Sequence, residues 1–301
     1  MAGKEEEKEE SRLARSWRHK GGAMDPNISR PELVELLARS VVYKDERFIG
    51  ICKPYGLASQ PGAGLRLSLS DADILEGLAS VLNIPQRLLL LQRLDQCTSG
   101  VLLIARGQAN LQSLLDLWAQ RKVRKRYYAV TVGVPTPPEG IIDIPLVQKR
   151  FNGHWKAFPA YTKAEGEAEA MPGHRSTPHE AVTEYQTLDA RKGAALLNVT
   201  LRTGEKHQIR SHLGFALATP IFGDHKYSHV KELKPQRMGG EILAAMGVSR
   251  AKSRQLPMLL HAHQVLVPQA NRARNVFVSA PLPPYFTHIL RKLKLSIPTI
   301  L

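Results

Sequence analysis

Arg93-Leu94-Asp95-Gln96-Cys97-Thr98-Ser99-Gly100 sets one carboxylate between two apolar runs. Four leucines at 88–91 precede it, and Val101-Leu102-Leu103-Ile104 follows. An acid held between buried strands is expensive unless a cation or hydrogen bonds compensate it. Asp95 therefore reads as a residue retained for chemistry rather than for packing.

Segments on either side of this octet carry further polar and glycine-rich signatures. Upstream lies Arg47-Phe48-Ile49-Gly50-Ile51-Cys52-Lys53-Pro54-Tyr55-Gly56-Leu57. Downstream come Lys125-Arg126-Tyr127-Tyr128-Ala129-Val130 and Ala181-Val182-Thr183-Glu184-Tyr185. They are followed by Thr203-Gly204-Glu205-Lys206-His207-Gln208-Ile209-Arg210-Ser211-His212, then Pro220-Ile221-Phe222-Gly223-Asp224, then Leu260-His261-Ala262. In this order the segments resemble the RluA-type RNA pseudouridine synthases over roughly residues 41–290. The octet is similar to that family's His-Arg-Leu-Asp-x-x-Thr-Ser-Gly motif, with Gln92 in the His position. Residues 223–228 and the Pro-Leu-Pro-Pro-Tyr-Phe tail look most like the eukaryotic mitochondrial members.

Composition fits a macromolecular anion as partner. Lys and Arg total 42 against 27 Asp and Glu, a net charge of +15, with a pI near 9.9. Such an excess favours polyanions, although many basic proteins bind none. Cys52 and Cys97 make neither a disulfide framework nor a zinc spacing, and both read as buried thiols. No apolar run approaches the ~20 residues of a membrane span. Glu5, Glu6, Glu7, Glu9 and Glu10 give residues 1–28 the composition of a disordered charged head. That acidity is unlike a mitochondrial transit peptide.

The pattern of elements predicts an α+β fold in one catalytic domain over residues 29–295. Ser29-Arg30-Pro31-Glu32 predicts a capping box ahead of a short helix carrying Leu33, Leu36 and Leu37. Residues 41–53 read as a strand pair or one bent strand. A helix over 107–123 is expected to bury Leu111, Leu114, Leu115 and Trp118. Residues 127–134 alternate as a strand, 182–188 and 194–201 as a strand pair, and 207–217 as a helix. Residues 150–180 read as a surface loop. Residues 229–256, with six basic and two acidic side chains, read as an insertion. About 40 residues precede the first matching strand, too few for the RNA-binding S4 domain many relatives carry.

The resemblance implies the pseudouridine synthase fold, with a mixed, mostly antiparallel central sheet flanked by helices. It implies isomerisation of uridine in structured RNA (rRNA, tRNA or mRNA) by a monomer, with no cofactor and no metal. It implies catalytic roles for Asp95, Tyr127 and Arg210. Asp95 would attack sugar or base as a nucleophile, or remove a sugar proton to give a glycal. Arg210 would pair with that carboxylate and keep it ionised; the competing reading is a surface phosphate contact. Tyr127 would stack on the extruded base and help remove the C5 proton, against the alternative of a core strand tyrosine. Arg93 would fill the gap left by the flipped base, or simply touch a phosphate. Arg121, Lys122, Arg124, Lys125 and Arg126 would form a phosphate track leading to Tyr127. His207, His212 and His261 lack metal-ligand companions and read as structural. Gln92 for His, and Glu205-Lys206 for Arg-Thr, alter the detail of the site. The resemblance implies the mitochondrial matrix; the acidic start leaves cytoplasm or nucleus open. The alternatives are a catalytically inactive RNA-binding protein on the same fold and, further off, an aspartate-nucleophile hydrolase.

Overall fold

Unbroken apolar runs around residues 48–52 and 101–105 require cover on both faces of any strand they form. The computed structural model describes residues 24–62, 64–151, 154–160, 175–230, 234–269 and 275–298. In chain order the elements are α1 (Arg30–Arg39), β1 (Val41–Lys44), β2 (Phe48–Lys53), α2 (Ala72–Val81), β3 (Leu88–Leu90), β4 (Ser99–Arg106), α3 (Gln108–Ala119) and β5 (Arg124–Val132). Then come β6 (Glu139–Asp143), β7 (Leu146–Phe151), β8 (His154–Pro159), β9 (Arg175–His179), β10 (Val182–Arg191) and β11 (Ala194–Leu201). Next are α4 (Gln208–Ser211) with a π turn (His212–Ala216), α5 (Gly240–Met246), a 3-10 turn (Ala251–Gln255), β12 (Leu260–Val267), β13 (Val276–Ser279) and α6 (Pro284–Leu293). Strands and helices mix without strict alternation, which is the expected α+β class. Two compact units divide the chain: residues up to Arg126 with Leu260–Thr287, and Tyr127–Leu259 with residues from His288 onward.

In the first unit, β2 pairs antiparallel with β1 and with β4, and β3 adds to β4. β12, more than 150 residues downstream, joins β4 in parallel at His261 opposite Ser99 and Ala262 opposite Gly100. β13 returns antiparallel along β12. The sheet is therefore mixed, as expected. Phe48, Val101, Leu103, Val265 and Val278 form its core with Leu114 of α3. α1 has the anticipated capping box, with Ser29 N donating to Glu32 Oε2 at 2.9 Å and Glu32 N to Ser29 Oγ at 3.4 Å. Leu33 and Leu37 are buried, but Val34 takes the third inward position and Leu36 is exposed.

α3 is shorter than the spacing predicts, because Arg121 adopts φ +55° and turns the chain out of the helix. Leu111, Leu114 and Trp118 pack into the core as expected, but Leu115 points to solvent and Leu117 packs inward in its place. Residues 24–28, placed in the charged head by composition, are tied down: Met24 N donates to Tyr55 O at 2.8 Å and Arg66 Nη2 to Ile28 O at 3.0 Å. Residues 1–23 of that head lie outside the described residues.

In the second unit the strand order is β5-β11-β10-β6. The β10–β11 hairpin is longer than expected, running from Thr183 opposite Leu201 to Arg191 opposite Ala194. The stretch read as a surface loop instead holds most of a three-stranded antiparallel sheet, order β8-β7-β9. Gln148 and Lys156 are both buried, on opposite faces of the β7–β8 pair, so the strands show no clean polar alternation. Two residues, Asn152-Gly153, separate β7 from β8. That dipeptide is a strong hairpin signal and would have identified the pair. The basic insertion is likewise partly built into the fold, with Met238, Ile242, Met246 and Leu256 buried. The helix expected over 207–217 opens on His207 at φ +58° and widens into the π turn. Gly214 allows this close packing: a Cβ there would lie 2.5 Å from Tyr227 O.

Candidate active site

Asp95 sits on the connection between β3 and β4, half-buried, with Arg93 exposed and Leu94 buried between them. The alternation follows from extended backbone. Leu94 is locked at both ends, its N donating to Ser59 Oγ at 3.0 Å and its O accepting from that hydroxyl at 2.8 Å. Thr98 N closes the turn on Asp95 O at 3.0 Å. Gly56 N donates to Gln96 O at 2.9 Å. The Lys-Pro-x-Gly-Leu turn is thus stitched to the acid's own loop.

Lys53 is the centre of that stitching. Its fully buried Nζ donates to Leu57 O at 2.7 Å, Pro54 O at 3.1 Å and Gln96 O at 3.4 Å. Burial pushes its amine down to about 7, opposed by the fields of Cys97, Asp95 and Cys52. Lys53 thus places an amine in the field of Asp95, a role that its place in the Lys-Pro-x-Gly-Leu turn does not reveal. The unfolded chain holds this proton to near 10.5. Between about pH 7 and 10.5 the unfolded state therefore binds more protons than the folded one, and Lys53 makes stability rise with pH. Below pH 7 both states are protonated and the full penalty of burying the charge is present. We expect Lys53→Met to flatten this rise, as read by denaturant titrations at pH 6, 7, 8 and 9. A slope equal to that of the parent protein would show that Lys53 stays charged.

Beyond the acid, Ser99 joins a buried chain. Ser99 Oγ lies 2.9 Å from His261 Nδ1 and 3.1 Å from Tyr285 OH, and His261 Nε2 lies 3.3 Å from Ala280 O. The carbonyl requires Nε2 to carry the proton, so Nδ1 accepts from Ser99 and Ser99 accepts from Tyr285. Burial pushes His261 down to about 4 and Tyr285 up, keeping both neutral. Gly100 has φ +110°, and a Cβ there would stand 2.2 Å from Ala262 O. Gly100→Ala should cost on the order of 3 kcal/mol through strain and overpacking. The check is a two-state unfolding measurement; a change below ~1 kcal/mol would contradict the geometry.

In the second unit Tyr127 is buried on β5. The pleat divides the basic run. Val123, Lys125 and Tyr127 face inward, while Arg124 and Arg126 are exposed, as are Arg121 and Lys122 before the strand. Lys125 is thus a correction to the expected track: it shares the buried face of Tyr127 rather than the surface of the other four.

Arg210, on α4, is held by a partner that sequence reasoning missed. Its Nε and Nη2 donate to Asp224 Oδ2 at 2.7 Å and Oδ1 at 2.9 Å. Both side chains are buried. Asp224 Oδ1 also accepts from Lys226 N and Tyr227 N, each at 3.2 Å. The Tyr227 ring lies 4.9 Å from the guanidinium carbon, and its hydroxyl contacts Ala157 N at 2.8 Å and His207 Nδ1 at 2.7 Å. Lys156 Nζ sits 4.9 Å from the Phe215 ring and 5.6 Å from those of Phe158 and Tyr227, and donates to His229 O at 2.6 Å. Burial pushes it down to about 8 while Asp224 opposes the shift. Gln208 clamps the start of α4, donating to Val182 O and Thr183 Oγ1 and accepting from Thr203 Oγ1 and Glu205 N. His212 bonds Thr183 Oγ1 and Ile144 O, each at 2.9 Å. Of the three candidate catalytic residues, Asp95 belongs to the first unit, and Tyr127 and Arg210 to the second.

Known proteins share this arrangement of sequence and fold. A model of the RNA pseudouridylate synthase family matches residues 47–214, more than half of the chain. The chain is 38% identical over 282 residues to the mitochondrial pseudouridylate synthase RPUSD4 of Bos taurus, covering 91% of this chain and 73% of that protein. It is 28% identical over 298 residues to the human mitochondrial mRNA pseudouridine synthase RPUSD3, covering 92% and 82%. The solved human RNA pseudouridylate synthase domain containing 4 superposes with a TM-score of 0.75 at 32% identity, over 90% of this chain and 98% of that one. With the motif match extending past both ends of the Asp95 loop, this chain belongs to the RNA pseudouridylate synthase family, a family of isomerases.

Proposed function

We propose that this enzyme converts specific uridines of structured mitochondrial RNA (ribosomal, transfer or messenger) to pseudouridine in the matrix, with Asp95 as the essential carboxylate. The observation that carries the reading is the loop of Asp95. Its neighbours Leu94 and Gln96 have their carbonyls fixed by Ser59, Gly56 and Lys53, so the acid is presented on rigid backbone. A positioned carboxylate is worth having only if it meets substrate.

The reaction breaks the N1–C1′ bond of a uridine and joins C1′ to C5 of the same uracil, with the C5 proton finally moved to nitrogen. Atoms and electrons balance within the nucleotide. Asp95 serves either as nucleophile or as the base that makes a glycal. Arg210 supplies positive charge to the carboxylate, and Tyr127 stacks on the extruded base and receives or relays the C5 proton. Arg93, exposed beside Asp95, fills the space the base leaves in the RNA. Arg121, Lys122, Arg124 and Arg126 contact phosphates from the exposed side of β5 and its approach; Lys125 supports from the buried face.

The relatives' names support mitochondrial RNA as the source of substrate. The test is incubation of the purified protein with mitochondrial RNA, followed by mapping of pseudouridine, together with the same map from cells lacking the protein. Sites that gain the modification in vitro and lose it in those cells are expected. RNA that is bound but never converted would instead mark the protein as an inactive binding protein on this fold.

A further inference from the structure

Beside the Asp95 loop, within the first unit, lies a cleft of about 350 Å³, a size that suits a nucleotide or other small molecule. One wall is Gln96 and Cys97, the two residues that follow the acid. The opposite side comes from residues 24–28, Tyr55-Gly56 and residues 64–67. We infer that this cleft receives an unpaired nucleotide of the RNA adjacent to the uridine being isomerised. The inference rests on the reading of the chain as an RNA-modifying enzyme and extends it to a second base.

Three observations select that occupant. First, the lining is mixed in the way a nucleotide requires. Met24, Ile28, Leu65 and Leu67 give apolar surface for a base, and Tyr55 an aromatic edge. The exposed Gln96 offers an amide for base edges. Bases lacking a helix are commonly read by such stacking and amide contacts. Second, the charge is one-sided. Arg66 lines the cleft and, among the described residues, no acidic side chain does, so an anionic group such as a phosphate is favoured over a cation. Third, the walls are already fixed. Met24 N is bonded to Tyr55 O, Gly56 N to Gln96 O, and Arg66 Nη2 to Ile28 O. Gln96 and Cys97 are the central residues of the turn that Thr98 N closes on Asp95 O, so the cleft is walled by the same tight turn that carries the acid.

Cys97 gives a built-in reporter, with Cys52 of β2 as the internal control. The probe is a pool of RNA hairpins with randomised uridine-containing loops. At saturating RNA, alkylation of Cys97 by N-ethylmaleimide should slow about fivefold or more while Cys52 is unchanged, a footprint typical of direct contact. Arg66→Glu should raise KM on the pool about tenfold with kcat unchanged, as for loss of a phosphate contact. Because Arg66 also holds residues 24–28 through Ile28 O, Leu65→Glu provides a second variant that places negative charge in the cleft without touching that bond. Unaltered Cys97 labelling with RNA demonstrably bound overturns the inference, as does an unaltered KM in both variants. Shielding of Cys97 by RNA that is never converted would leave the cleft standing and remove the isomerase reading instead.

Discussion

Asp95→Asn is expected to lower pseudouridine formation by about 10³-fold or more while RNA binding and fold persist. The amide keeps the size of the carboxylate but can neither attack carbon nor take a proton. Backbone contacts hold the surrounding loop. Thr98 N bonds the backbone oxygen of Asp95, and the flanking carbonyls are held by Ser59, Gly56 and Lys53. The expected shift in melting temperature is accordingly a few degrees at most, since exposed or half-buried polar changes rarely cost more than ~1 kcal/mol. Asp95 also raises the pKa of the buried Lys53 amine, so the variant should lower it further. Single-turnover assays on a mapped RNA site, with binding measured separately, decide the matter. Full activity in a correctly folded Asp95→Asn protein would remove the carboxylate from the mechanism.

Asp224→Ala should be the most destabilising of the substitutions considered, by about 3–5 kcal/mol, because it strands a buried guanidinium. Arg210 and Asp224 are 9% and 2% exposed, and the pair is bidentate. The same carboxylate also anchors the amides of Lys226 and Tyr227. For a chain of this size that loss lowers the melting temperature by on the order of 10 °C. Asp224→Asn should fall between, retaining acceptor geometry but losing the charge. The double variant Arg210→Met with Asp224→Leu should recover much of the stability, since a buried pair is often matched by apolar residues of like volume. It should not recover activity if Arg210 serves the reaction. A stable but inactive double variant separates the two roles of this arginine, whereas an active one would make the pair purely structural.

Much of the architecture could be read from local pattern. The capping box at Ser29 appears where spacing puts it, and the β10–β11 hairpin and the strand through Tyr127 form there with shifted ends. Failures occurred where a polar side chain occupies an inward position. Lys156 looks like a surface lysine in sequence, but three aromatic rings and two carbonyls take its ammonium inside. With Gln148 it hides the alternation of β7 and β8. Lys125 shows the same limit: five cations in six residues read as one stripe, and the pleat of β5 turns one of them inward. In the site, the motif named Asp95 and Arg210 but not their supports. Lys53 and Asp224 both stand in the motif segments, yet nothing in one dimension says that an amine will be taken up by three backbone carbonyls or that an acid fourteen positions on will grip an arginine.

The parallel union of β4 with β12 carries a consequence for how the protein is made. A ribosome delivers the acid's loop early, but the strand that lies against it, with the histidine that receives the Ser99 hydroxyl, emerges some 160 residues later. Until then the apolar edge of β4 has no such cover. A nascent chain must keep that edge from pairing elsewhere, and a message cut short before residue 260 encodes a protein whose Asp95 loop has lost its lateral wall.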